Sequence, residues 1–240
     1  MQPDPSSPTR LADRLKPGDS DLLVIVFSQV RVPAGKFGLE RLFAKTRHSC
    51  LFLNDTENRW YLGLDREIDL RASQAIADIQ PRKILYYGSS MGGYGALATG
   101  LRRQDGDIHA FGPELRPGRP GYQSTAYGIS ADDSRLCSFD ATPQPRALDI
   151  QLYFGGFDPV DAANAAFARD CWPKVKLHLL KSSHSNHDHL YSQNIIRRII
   201  RTFERDPALE LASKQLLLAD SELASLSRFG AFAEAFATGG

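Results

Sequence analysis

The stretch of sequence that decides the fold is KILYYGSSMGGYGAL, residues 83–97. Its first five residues are rich in strand formers, and the small side chains from Met91 onward have the spacing of a helix. Between the two segments lies the pattern Gly-x-Ser-x-Gly, formed by Gly88, Ser90 and Gly92. A serine in so sharp a turn leaves no room for side chains two residues away, so glycine is needed on both sides. The stretch therefore predicts a strand, a strained turn that presents the Ser90 hydroxyl, and a helix.

The same turn predicts part of an oxyanion hole. The amide of Met91 lies at the positive end of the predicted helix, where a developing oxyanion would be stabilised. A second amide is expected from the loop after an early strand, and residues 28–30 follow the apolar run at 22–27. Ser28, Gln29 and Val30 are all open as that donor. Gln29 is favoured, so the predicted pair is Met91 and Gln29.

Composition limits the classes of function. The chain has 240 residues, of which 42% are hydrophobic and 24% charged, as in an average globular enzyme. A formal net charge of +1 gives no reason to expect a nucleic-acid or membrane partner. No apolar run is long enough for a membrane span or a signal peptide, and three widely spaced cysteines do not suggest a disulfide framework. A cytoplasmic protein is expected.

Predicted strands alternate with predicted helices. The strands are expected at residues 22–27, 49–53, 83–87, 107–111, 150–154 and 175–180, and the helices at 65–79, 91–101, 161–170 and 189–203. This alternation predicts an α/β fold, with a doubly wound, mostly parallel sheet and C-terminal helices. The expected organisation is a flexible N-terminal segment (1–20), one domain (21–206) and a C-terminal helical extension (207–240).

A carboxylate is expected in the loop after the strand at 150–154. Asp158 lies just beyond that strand, at the edge of the sheet where such sites assemble. It would accept a hydrogen bond from a histidine and stabilise the imidazolium. Asp161 is the rival, but its position is also typical of a helix cap or a first-turn acid. Asp158 is the favoured acid.

A histidine base is expected in the loop after the last strand. This loop holds His184, His187 and His189. His184 comes first after the strand and before the helix, so it is best placed to reach back to Ser90. The other two fall near the start of the helix, and both stay open as alternatives. An imidazole at this place would take the serine proton and later protonate the leaving group.

The histidine cluster also suggests a metal site. Residues 184–189 read HSNHDH, which resembles the His-x-His-x-Asp-His signature of metallo-β-lactamase-like hydrolases. The second histidine stands one position late, and no later histidine completes such a set. No metal is therefore predicted.

Polar and aromatic residues near strand ends are candidates for the substrate pocket. Asp55, Trp60 and Tyr61 follow a predicted strand and have the character of small-ligand sites. The alternative is a turn with an aromatic anchor. Lys36 is either a surface cation or a guide for an anionic substrate, and Glu114 is a weaker pocket candidate.

These motifs resemble the α/β-hydrolase superfamily. Three local segments are similar to a poorly characterised group of small bacterial hydrolases: VPAGKF (32–37), NDTENRWY (54–61) and GSSMGGY (88–94). The resemblance covers about residues 21–203. It implies an α/β-hydrolase fold and a triad of Ser90, Asp158 and His184, and it implies no particular substrate.

The predicted function is that of a cytoplasmic serine hydrolase. It would cleave an ester or thioester of a small acyl compound through an acyl-enzyme on Ser90, without a cofactor. One alternative passes the acyl group to an alcohol or amine. Another is a non-catalytic binding or assembly module of the same fold, with self-association through the C-terminal helices.

Overall fold

The computed structural model describes residues 10–143, 145 and 147–219. The strands of its sheet are β1 (Leu11–Lys16), β2 (Leu22–Phe27), β3 (Ser49–Asp55), β4 (Lys83–Ser89), β5 (Asp107–Phe111), β6 (Ile150–Gly155) and β7 (Lys176–Leu180). The helices are α1 (Glu40–Phe43), α2 (Asp65–Ile79), α3 (Met91–Arg103), α4 (Pro159–Cys171), α5 (Asn186–Ser192), α6 (Ile195–Ile199) and α7 (Pro207–Ser213), with a short 3₁₀ helix at Gln123–Tyr127.

The seven strands form one sheet in the order β1-β3-β2-β4-β5-β6-β7. Strands β2 to β7 are parallel, and β1 runs antiparallel to β3. The predicted α/β fold with a mostly parallel sheet is confirmed. Because the parallel strands end at one edge, the loops after β2, β4, β5, β6 and β7 meet there.

Apolar side chains cover both faces of the sheet. On one face, buried residues of α2, α3 and α4 pack on the strands, with Ile68, Leu97 and Ala165 as examples. On the other face, α1, α5, α6 and α7 contribute residues such as Phe43 and Leu190. Strands buried on both faces read as continuous apolar runs, which explains why β2 is so clear in the sequence.

Strand β1 corrects the predicted N-terminal boundary. Residues 11–16 were expected in a flexible segment, but they pair with β3 from Leu11 against Asp55 to Lys16 against Cys50. Half of the residues in LADRLK are charged, because an edge strand is only partly buried, so it lacks the pattern of an interior strand. Residues 1–9 lie outside the described part of the chain.

The C-terminal part differs from prediction in its helices. The single helix expected at 189–203 is two helices, α5 and α6, because Asn194 adopts a left-handed conformation with φ 61° between them. Helix α7 packs on the domain through the buried Leu211. Leu217 then forms a bridge with Leu180 of β7.

Residues 220–240, most of the predicted helical extension, lie outside the described residues, and self-association through them stays a prediction. Among the residues that are described, no helix has both the length and the apolar character needed to cross a bilayer.

Candidate active site

Ser90 stands in a strained turn between β4 and α3. Its backbone has φ 55° and ψ −122°, a conformation that costs free energy for a residue other than glycine. A methyl group on Gly88 would lie 2.0 Å from the carbonyl oxygen of Gly92, and one on Gly92 would lie 2.2 Å from that of Phe27. The amide of Ser90 donates to Phe111 of β5 at 2.7 Å. The two flanking glycines thus let the turn pack against its neighbours.

A continuous chain of hydrogen bonds runs from Ser90 through His184 to Asp161. The Nε2 atom of His184 lies 3.0 Å from the Oγ of Ser90. On the other side of the ring, Nδ1 lies 2.7 Å from Oδ1 of Asp161. The three side chains come from the turn after β4, the first turn of α4 and the loop after β7, which meet at one edge of the sheet. Their order is that of a nucleophile, a base and an orienting carboxylate.

Asp158, the favoured acid, does not take the orienting place. It is the N-cap of α4, and its Oδ1 accepts hydrogen bonds from the amides of Val160 at 3.0 Å and Asp161 at 2.9 Å. Pro159 occupies the first helical position, as is typical after a capping residue. The rival Asp161 therefore contacts His184, because the helix directs its side chain back toward the end of β6.

The second oxygen of Asp161 is also fixed. Oδ2 accepts from the amide of Gly155 at 2.7 Å and from Nδ2 of Asn186 at 3.1 Å. The side chain of Asp161 is almost fully buried. These contacts hold the carboxylate plane, so the position of the His184 ring is set by α4, β6 and α5 together.

Charges around His184 favour its protonated form. Burial lowers the pKa of His184, but the hydrogen bond and charge of Asp161 outweigh this, and Asp158 and Glu114 add to them. Together these groups raise the pKa of His184 to about 9. The environment therefore stabilises the imidazolium that forms when a base accepts the serine proton.

Of the three histidines of the loop, only His184 is hydrogen-bonded to the Ser90 hydroxyl in the described part of the chain. His187 is buried in the core, and its Nε2 lies 2.8 Å from the hydroxyl of Tyr87. His189 lies in α5. Within the described part of the chain, no group of three or more histidine, cysteine, aspartate or glutamate side chains is arranged to hold a metal ion.

The amides predicted for the oxyanion hole are that of Met91 and one from the loop at residues 28–30. The amide of Ser28 is used by Leu53 of β3 at 2.9 Å, which removes it from the three possible donors. The amides of Gln29 and Met91 have no hydrogen-bond partner among the residues that the structure describes, and the same holds for Val30. The close approach of Gly92 to residues 27 and 28 brings this loop against the start of α3.

Asp55, predicted to bind substrate, is instead a structural anchor. Its carboxylate is fully buried and is paired with Arg10 at 2.8 Å. It also accepts from the amides of Glu57, Arg59 and Tyr61. All of its acceptor sites are used inside the protein, so a substrate has none to bind.

Trp60 and Tyr61 are also buried, and the small cavity that they line does not include the triad. Both have a positive φ, which is rare for bulky residues, and the contacts of Asp55 hold this turn. The Tyr61 hydroxyl lies 2.8 Å from the carbonyl oxygen of Ser28. The aromatic pair therefore supports the loop that presents Gln29. Lys36 is exposed, as a surface cation would be.

Sequence reasoning missed Gln123. It begins the 3₁₀ helix, and its Oε1 accepts a hydrogen bond from Ser90 Oγ at 3.1 Å. Its amide donates to the buried carboxylate of Glu114 at 2.5 Å, and the amide of Ser124 donates to the same carboxylate. No motif marks Gln123, because it lies in a loop far along the chain from the serine.

A large cavity lies away from these groups. Its volume is about 1220 Å³, and residues such as Leu22, Lys83 and Asp107 line it at the opposite edge of the sheet. A second cavity of about 260 Å³ lies beside α3, between Trp60 and Tyr94. Neither includes the triad, so the hydrogen-bond geometry, not cavity size, identifies the candidate site.

No protein-family model matches the sequence, and no curated protein matches it either. Solved structures do match. The capsule O-acetyltransferase of Neisseria meningitidis serogroup A superposes with a TM-score of 0.64 and 19% identity, over 82% of this chain and 93% of that one. An α/β serine hydrolase homologue from Coxiella burnetii superposes with a TM-score of 0.55 and 12% identity, over 81% of this chain and 92% of that one. A putative esterase from Staphylococcus aureus superposes with a TM-score of 0.56 and 10% identity, over 83% of this chain and 82% of that one.

At these identities the similarity concerns the fold. Membership of the narrower bacterial group stays a prediction. The sheet order, the serine turn after β4 and the matched structures lead to one conclusion: the chain has an α/β-hydrolase-type fold.

Proposed function

We propose that this protein is a serine hydrolase that cleaves a carboxylic ester or thioester through an acyl-enzyme on Ser90. The observation that carries the proposal is the unbroken hydrogen-bond chain from Ser90 through His184 to Asp161, with separations of 3.0 Å and 2.7 Å. A nucleophile, a base and an orienting carboxylate within hydrogen-bond reach are the parts that acyl transfer to serine requires.

In the first half of the reaction, Ser90 Oγ attacks the acyl carbonyl carbon and its proton passes to Nε2 of His184. The carbonyl oxygen becomes an oxyanion, which the amides of Met91 and Gln29 stabilise. The bond to the alcohol or thiol then breaks, and His184 returns the proton to that leaving group. Asp161 stabilises the imidazolium throughout.

In the second half, water attacks the acyl-enzyme while His184 accepts one of its protons. The ester bond to Ser90 breaks, the carboxylic acid leaves, and the proton returns to Oγ. Each step uses groups that this chain supplies, so the proposal requires no cofactor. The substrate class is a small acyl compound.

A second candidate is transfer of the acyl group to a hydroxyl. It is supported by the structural similarity to the capsule O-acetyltransferase, three structures of which give TM-scores of 0.64, 0.59 and 0.56. A non-catalytic module has less support, because a binding role gives no reason for the ordered contacts of His184.

Burst kinetics with p-nitrophenyl acetate test the proposal. We expect one equivalent of p-nitrophenolate to appear rapidly, and acid-quenched protein to carry an acetyl group on Ser90. Ser90→Ala should lose both signals, and Ser89→Ala should keep them. The absence of an acetyl adduct on Ser90 would contradict the acyl-enzyme. An added alcohol that raises the steady-state rate of p-nitrophenolate release and becomes acetylated would favour acyl transfer over hydrolysis.

A further inference from the structure

The Ser90 hydroxyl has two possible acceptors and only one hydrogen. Nε2 of His184 lies 3.0 Å from Oγ, and Oε1 of Gln123 lies 3.1 Å from it. When His184 is neutral with its proton on Nδ1, Nε2 is an acceptor and competes with Gln123 for this hydrogen. When His184 is an imidazolium, Nε2 donates to Oγ, and the hydroxyl can donate only to Gln123.

Gln123 is held in this place by a built set of contacts. The buried Glu114 accepts the amides of Gln123 and Ser124, which fixes the start of the 3₁₀ helix. The amide of Leu115 donates to Oδ1 of Asn164 at 2.9 Å, which ties the same loop to α4. The helix that carries Asp161 and the loop that carries Gln123 are thus joined.

The charges that face His184 favour the imidazolium arrangement. Asp158 and Asp161 face it from α4 and its cap, and Glu114 faces it from the loop after β5. The turn after β4 contributes Ser90 to this region, and α5 contributes Asn186. Both side chains are uncharged. Three carboxylates contribute negative charge at the ring, so the resting enzyme holds a proton that must leave before His184 acts as a base.

We propose that Gln123 is a positioning residue that accepts the hydroxyl hydrogen of Ser90 in the resting enzyme and so directs that hydrogen away from the base. This inference rests on the proposed function, since it assigns Ser90 and His184 their roles. Gln123 stabilises the arrangement with protonated His184 more than the neutral one, in which Nε2 competes for the hydrogen. Its removal should therefore make the base easier to deprotonate and the serine reactive at lower pH.

The size of the effect follows from one neutral hydrogen bond. Such a bond contributes enough to move a coupled titration by about half to one pH unit. Gln123→Met keeps a similar side-chain volume without the acceptor. It should shift the midpoint of the pH profile for the reactivity of Ser90 to lower pH by that amount. Gln123→Glu keeps an acceptor and adds a negative charge, so it should shift the midpoint up.

The test is the rate of labelling by a fluorophosphonate as a function of pH. In this reaction Oγ bonds to phosphorus, fluoride leaves and the hydroxyl proton passes to His184, so no acyl substrate has to be known. We expect Gln123→Met to label about three- to tenfold faster than wild type below the midpoint. Thr125→Ala, in the same 3₁₀ helix, should keep the wild-type midpoint. Thermal unfolding checks that each variant is folded. If Gln123→Met is not folded, the same measurement is made on Gln123→Ala.

The outcomes separate this inference from the proposed function. A wild-type protein that is not labelled at Ser90 overturns both. A labelled wild type with an unchanged or raised midpoint in Gln123→Met overturns the role of Gln123 alone. A lower rate at every pH, with no shift of the midpoint, marks a purely structural residue and also contradicts the proposal.

Discussion

His184 donates from Nδ1 to Asp161 Oδ1 over 2.7 Å, and this contact fixes the ring that faces Ser90. Because the other oxygen of Asp161 is held by Gly155 and Asn186, the carboxylate has little freedom to turn. The pair therefore links the ends of β6 and β7 across the candidate site.

The first prediction separates the two aspartates of α4. Asp161→Asn should lower kcat by at least about a thousandfold, because an amide does not stabilise the imidazolium as a carboxylate does. Asp158→Ala should keep kcat within about tenfold and cost about 1 kcal/mol of stability through the lost N-cap. Turnover of an activated ester and urea unfolding measure both. A larger loss of kcat for Asp158→Ala than for Asp161→Asn would return the role to Asp158.

The second prediction separates the histidines. His184→Ala should lower kcat by at least about a thousandfold and leave the fold intact, since the side chain lies at the edge of the sheet. His187→Ala should destabilise the protein by about 2 kcal/mol or more, because it leaves a cavity and an unpaired Tyr87 hydroxyl. Its kcat should change by less than about tenfold. The opposite ranking of the two kcat values would assign the base to His187.

The third prediction concerns pH. The pKa of His184 is raised to about 9, so the ring is protonated below that pH and gains its base function above it. The kcat/KM of the wild type should therefore rise with pH to a plateau, with its midpoint near 9. Asp161→Asn removes the charge that contributes most to the raised pKa, and it should move the midpoint to lower pH. A wild-type midpoint at or below the ordinary histidine value of 6.5 would contradict the electrostatic account.

The fourth prediction concerns Tyr61. Its buried hydroxyl holds the carbonyl of Ser28, and through it the loop that presents the Gln29 amide. Tyr61→Phe should lower kcat by about tenfold with little change in KM, because a looser donor weakens oxyanion stabilisation and not substrate binding. Kinetics with one activated ester, together with thermal unfolding, give the result. An increase in KM alone would instead support the original expectation that Tyr61 binds substrate.

Much of the fold could be predicted from the sequence because the parallel strands are buried on both faces. Such strands are continuous apolar runs, and β2 and β5 have the predicted bounds. Helix α2 also has its predicted bounds. The edge strand β1 was missed because half of its side chains are charged, which interrupts the apolar run. The break at Asn194 was missed because the apolar spacing continues through it.

The site was less predictable, since its contacts depend on side-chain directions that the spacing of residues along the sequence does not give. Asp158 and Asp161 both follow β6, and only the helix geometry decides which carboxylate turns back. The Asp-Pro pair at 158–159 was an available signal, because it is typical of an N-cap and the first helical residue. Gln123 had no such signal, and only the folded chain brings it to Ser90.

The central claim is that Ser90 is a nucleophile activated by His184. Its most direct test is peptide mass spectrometry of the protein after treatment with a fluorophosphonate. We predict one phosphonyl group on the tryptic peptide that contains Ser89 and Ser90, lost in Ser90→Ala, strongly slowed in His184→Ala and retained in Ser89→Ala. An intact, folded wild-type protein without the adduct, or a Ser90→Ala protein with it, would contradict the account.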